Sequence, residues 1–144
     1  MDMWDDIINF HVKFEVPQSE LPTMEGNDEM LQYRIKFLRE ELKEFEDAVE
    51  SGNDVEAFDA LLDLVYVAMG TAYVCNFPWN EGWEYVQAAN MLKQRVNSAD
   101  ESKRGSQYDV VKPDGWIAPN QVLEAILLFQ TFETRMARLK EKLS

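Results

Sequence analysis

The segment Asp59 to Ala72, DALLDLVYVAMGTA, constrains this chain more than any other. It reads as the interior of a protein, yet it carries two aspartates four residues apart. A carboxylate in apolar surroundings must be paired, hydrogen-bonded or metal-bound, because desolvating an unpaired ion costs several kcal/mol or more. Wound at about 100° per residue, Asp59, Asp63, Tyr66 and Gly70 fall in one line, with Glu56 at its upper end. The rest of that helix is almost wholly apolar, which predicts a central position in a bundle.

The preceding helix supplies facing acids. From Asp28 to Ser51 the apolar residues Leu31, Ile35, Leu38, Leu42, Phe45 and Val49 step by threes and fours and predict the core stripe. On that wheel Glu40 points away from the core, and Glu41 and Glu44 of the motif EELKE lie together on the flank. Gly52 stops this helix and Asn53 or Asp54 caps the next, so the two helices run antiparallel across a short connection. Glu41 and Glu44 can then face Asp59 and Asp63. Four carboxylates in a small volume need protons or cations, and hard oxygen donors suit Mg²⁺ or Mn²⁺. A di-iron site would want a Glu-x-x-His on each of two helices, and the only histidine, His11, is far from both segments in sequence.

Elsewhere the pattern predicts a short helix from Asp2 to Phe14, a loop rich in Pro, Ser and Gly, and a fourth helix from Trp79 to about Val96. A long ordered loop over 97–119 is anchored by Tyr108 and Trp116, and a last helix is capped by Asn120. No strand pair is evident. The expectation is all-α, a four-helix bundle with a short leading helix, in one domain spanning 1–144. A formal charge of −13 excludes binding to a nucleic-acid polymer through counterion release and opposes an anionic membrane surface. The longest apolar run is broken by Asp63, Gly70 and Thr71, and the N-terminus lacks a basic region. No membrane span or signal is therefore expected, and the chain reads as cytoplasmic. Cys75 is the single cysteine and reads as a small buried residue. If carboxylate-bound metal is to meet an anionic substrate, nearby cations are expected. Asn90 and Lys93, three apart on one helical face, and Lys112 are the candidates.

These motifs also carry a resemblance. Glu40-Glu41-x-x-Glu44 followed by Asp59-x-x-x-Asp63-Leu-Val-Tyr resembles the signature of the MazG-like all-α nucleoside triphosphate pyrophosphohydrolases. The likeness is to the phosphoribosyl-ATP pyrophosphohydrolase-like branch found in phages and bacteria. INFHVKF, REELKEFEDAV, VQAANMLK and VVKPDGWIAPN fall in that branch's order. The resemblance implies hydrolysis of a nucleoside triphosphate to monophosphate and pyrophosphate with two or more Mg²⁺ or Mn²⁺ ions per site. It implies Glu41, Glu44 and Asp63 as metal ligands, with Asp59 or Glu56 completing the set. The branch often has a glutamate three residues before the final aspartate, where this chain has Ala60. Glu40 or Glu44 would orient or deprotonate the attacking water. Asn90 and Lys93 would meet the phosphates or sugar, and His11 would help form the base pocket. A homodimer or homotetramer acting on nucleotide pools, for example on dGTP in a phage, is implied in the same way. The rival reading is a helical protein that binds a nucleotide or partner without turnover.

Overall fold

Local signals in the chain set most of the helix ends in the computed structural model, which describes residues 2–144. Helix α1, Met3–Lys13, begins at a reciprocal cap in which Asp2 and Asp5 each accept from the other's backbone N–H. Helix α2, Asp28–Ser51, ends at Gly52, whose φ of +66° is the left-handed conformation that glycine adopts without penalty. Asn53 then caps α3, Asp54–Val74, by accepting from the Glu56 N–H at 3.1 Å. With only Gly52 and Asn53 between them, α2 and α3 fold back on each other as an antiparallel pair. Helix α4 is Trp79–Met91, directly after Pro78, and α5 is Asn120–Leu143. Asn120 is the first helical residue of α5 and not its cap, and the Pro119 carbonyl closes the first turn by accepting from Leu123 N–H at 2.9 Å. The fold is all-α.

The described chain forms two compact units, 2–79 with 130–144, and 80–129. In the first, α2 packs on α3 and α1 crosses α3. Ile7, Met69 and Tyr73 form its apolar centre, with Trp4, Ile8 and Trp79 against them, and Trp4 stacks on Trp79 at 6.1 Å between ring centres. The loop after α1 is fastened to the end of α3: Ser19 and Thr23 donate to the Val74 and Cys75 carbonyls at 2.8 and 3.0 Å. Those are orphan carbonyls of a helix C-terminus, and pairing them removes a desolvation cost. Arg138 on α5 forms an ion pair with Glu20 of the same loop.

The second unit holds α4, the start of α5 and the segment between. That segment is not strand-free: Gln94–Arg95 (β1) pairs antiparallel with Val110–Val111 (β2), which ends α4 at Met91 and not near Val96. Two-residue strands have too little periodicity to show in a sequence, and their paired residues lie seventeen and fifteen positions apart. Trp116 is an anchor as expected, its indole N–H donating to the Ala89 carbonyl at 2.7 Å. Tyr108 is not, being 75% exposed under the Arg95 guanidinium.

Two further expectations need correction. The buried line of α2 is Arg34, Glu41 and Ala48, while Ile35, Leu42 and Val49 of the apolar stripe are exposed. A helical wheel shows which residues share a face but not which face meets the neighbour, and the α2–α3 hairpin chose the line one residue earlier. Helix α3 is central only in its second half. Val67 to Cys75 are mostly buried, whereas Val55, Phe58, Leu61, Leu62 and Val65 are exposed. Helix α3 is long and apolar enough to span a bilayer by length and composition alone, a test that a core helix passes as well. Here that apolarity serves packing on α1 and α2.

Candidate functional site

The hairpin sets the register of the site. Across the hairpin Arg34 lies against Gly70, and Asp63 acts electrostatically on Glu41. Each of these couples is seven residues, about 10 Å of helix, from the other. One seam between α2 and α3 therefore has an acidic end and a basic end.

At the acidic end Glu41 is buried, Asp63 is half-buried, and Glu44 and Asp59 are exposed. Burial raises the Glu41 carboxyl above its ordinary pKa, and Glu44, Asp63 and Asp59 raise it further in that order. Asp63 is raised by burial, then by Asp59 and Glu44. The four acids read from the sequence thus share one electrostatic neighbourhood. Glu41 Oε2 is buried without a hydrogen-bond partner. A carboxylate oxygen in that position has a desolvation cost that no hydrogen bond from a described residue offsets. Among the described residues no three His, Cys, Asp or Glu side chains converge to metal-ligation spacing. The donor set nonetheless fits a hard divalent cation: all oxygen, mutually repelling, with one orphaned atom. Glu40 is exposed, on the outer face as the wheel placed it, and Glu56 is exposed at the start of α3.

At the basic end His11 of α1 is 1% exposed. Its Nδ1–H donates to the Ile7 carbonyl at 2.7 Å, and its Nε2 accepts from an Arg34 Nη at 3.2 Å. Phe10 and Tyr73 stand against its ring at 5.2 and 4.8 Å, and Tyr66 meets Phe10 edge-on at 5.3 Å. Burial lowers the histidine pKa and the neighbouring guanidinium adds to that, the Ile7 bond opposing; the ring is held neutral. Gly70 lets the helices approach: a methyl group there would lie 2.7 Å from His11 Nε2 and 2.9 Å from an Arg34 Nη. Arg34 was not singled out from the sequence, although it stands seven residues before Glu41 on the same line of α2.

Asn90, Lys93 and Lys112 belong to the second unit. Asn90 is exposed and its carbonyl accepts from the Lys93 N–H at 3.1 Å. The Lys93 and Lys112 ammonium groups both lie over the Trp116 ring, at 5.3 and 5.0 Å from its centre, so the indole gathers the two cations.

The family model described as phosphoribosyl-ATP pyrophosphohydrolase matches residues 7–90. That stretch holds His11, Arg34, all four acids and Asn90, and ends before Lys93 and Lys112. No curated protein matches the sequence. With 84 of the 144 residues matched, starting in α1 and running through the seam into α4, the chain belongs to the phosphoribosyl-ATP pyrophosphohydrolase family, and it is by that membership a pyrophosphohydrolase.

Proposed function

We propose that the protein hydrolyses a nucleoside triphosphate to the monophosphate and pyrophosphate, by water attack at the α-phosphorus, with Mg²⁺ or Mn²⁺ as cofactor. The observation that carries this reading is Glu41: buried, one oxygen without a partner, and set among Glu44, Asp63 and Asp59. Glu41, Glu44, Asp63 and Asp59 would hold two or more ions. Bound there, such ions supply charge neutralisation on the triphosphate and acidify a water ligand. The carboxylate of Glu44, or Glu40 beside it, positions that water and takes its proton.

The open apolar faces support a second element of the reading, a homodimer or homotetramer. Ile35, Leu42 and Val49 on α2 and Val55, Phe58 and Leu62 on α3 are between 40% and 76% exposed, and α5 has no buried residue. Faces this apolar mark association surfaces. Static light scattering on the purified chain checks it, and a monomer at micromolar concentration contradicts it.

The activity is tested with all ribo- and deoxynucleoside triphosphates, dGTP included, and phosphoribosyl-ATP, each with Mg²⁺ or Mn²⁺, reading monophosphate and pyrophosphate together. Metal-dependent pyrophosphate release from a triphosphate is expected. Phosphate without pyrophosphate would move the cleaved bond, and turnover of phosphoribosyl-ATP alone would replace the proposed substrate class. Binding without turnover would favour a nucleotide sensor.

A further inference from the structure

The basic end of the seam holds a cation that the fold does not explain. Arg34 is 8% exposed and forms no ion pair with any described residue. One of its Nη groups donates to His11 Nε2, and its Nε is buried without a partner. A buried guanidinium remains charged, and removing it from water costs several kcal/mol unless an acceptor offsets the loss. His11 is a neutral acceptor and answers one of five donors. If Arg34 served packing alone, a methionine would fill the same space at lower cost.

The surroundings hold that guanidinium in one place. His11 is itself fixed by the Ile7 carbonyl and so keeps Nε2 as the acceptor. Gly70 leaves no side chain between the guanidinium and α3. The only other described side-chain atom that is buried without a hydrogen-bond partner is Glu41 Oε2, on the same line of α2. Two unanswered polar atoms of opposite charge, carried by residues about 10 Å apart in backbone rise on one helix face, match a ligand that presents a cation at one end and hydrogen-bond acceptors at the other. A metal-bound nucleotide has that polarity.

Resting on the proposed triphosphate substrate, we infer that Arg34 is a substrate-binding residue, whose unpartnered Nε–H donates to an acceptor of the nucleotide, either a carbonyl or ring nitrogen of the base or a phosphate oxygen. The guanidinium is a strong donor held in place before the ligand arrives, so its binding contribution is not spent on ordering a side chain. His11 is then a positioning residue, acting through Arg34 without touching the ligand.

The test uses the whole chain with non-hydrolysable α,β-imido deoxynucleoside triphosphates of the four bases and Mg²⁺. Binding is read by calorimetry in wild type, R34M and R34K. A charge-assisted donor predicts that R34M weakens binding by about 10- to 100-fold, with R34K recovering part of the loss and the melting temperature of R34M not lowered. Losses that differ between bases assign the acceptor to the base, and equal losses assign it to phosphate; both support the inference. Equal binding by R34M and wild type overturns it. A measurement on wild type alone covers a variant that fails to fold: the Arg34 Nε–Hε resonance in a ¹⁵N spectrum shifts on adding nucleotide, and a resonance that does not move overturns the assignment. Wild type that turns over a triphosphate while R34M does so with unchanged KM sinks the Arg34 inference only. Wild type that neither binds nor hydrolyses any of the panel sinks the triphosphate reading and this inference with it.

Discussion

The two ends of the α2–α3 seam are built from the same helical geometry and reach opposite states. At the Gly70 end the helices and α1 close over His11 and Arg34 until one ring nitrogen and one guanidinium group meet at 3.2 Å. At the Asp63 end the partners are all acids, two of them exposed, and no described residue forms an ion pair with them. One end is closed, with the Arg34 Nε buried and without a partner. The other is a set of like charges whose mutual repulsion is an energetic cost until a cation arrives. Stability therefore concentrates at the closed end and chemistry at the open one.

The largest effect should come from the open end. Glu41→Gln is expected to lower pyrophosphate release by at least about 100-fold, beyond the ~10–100-fold loss typical of groups one step behind a metal ligand. Its melting temperature in metal-free buffer should not fall, because one of four repelling charges is gone. Steady-state kinetics and thermal unfolding on the same sample check both halves, and a destabilised Glu41→Gln would mean that the carboxylate is structural.

Gly70→Ala should act the other way, by stability. The new methyl group would have to move His11 or Arg34 by several tenths of an ångström. Overpacking of this kind costs about 1–3 kcal/mol, against a gain in helix propensity of about 1 kcal/mol. Urea unfolding should show a net loss, and a variant as stable as wild type would mean that the closed end is looser than it stands here.

A third, smaller effect is acid sensitivity of His11. Its folded pKa is below the unfolded value of 6.5, so the unfolded chain binds the proton first. The stability contributed by the neutral ring is fully present above about pH 6.5 and is lost as the pH falls from there toward the folded pKa. Arg34 from α2 and the ring of Tyr73 from α3 face the histidine and add no anion to offset its charge. Glu41 and Asp63, with raised pKa values, contribute the opposite slope at lower pH. The readout is therefore the difference in urea midpoint between wild type and His11→Gln at pH 7.5 and pH 5.5, which should shrink at the lower pH. The smallest effect belongs to Lys43→Ala: the Lys43–Asp47 pair is an exposed i,i+4 contact, and no change in melting temperature is expected.

What could be read without the fold follows the range of the forces involved. The end of α2 and the start of α3 were legible in Gly52 and Asn53, because caps act within three or four residues. The four acids were legible because Asp59 and Asp63 conflict with their neighbours and the hairpin loop is two residues long. Lys93 and Lys112 could be named, but their meeting on Trp116 could not, since the three come from separate stretches of the chain. Arg34 passed unnoticed because an arginine on a helix is ordinarily a solvated charge; only packing by α1 and Gly70 buries it.

The sequence by itself determined the helices, their order and the antiparallel pairing that sets acid opposite acid. These depend on local propensity, capping and loop length. Tertiary structure alone decided which face of α2 is covered. The stripe of Ile35, Leu42 and Val49 is the more apolar, yet the line of Arg34, Glu41 and Ala48 is the one α3 covers. The hairpin geometry outweighs a stripe that another surface can bury, and in doing so it places one unanswered carboxylate and one unanswered guanidinium on the same seam.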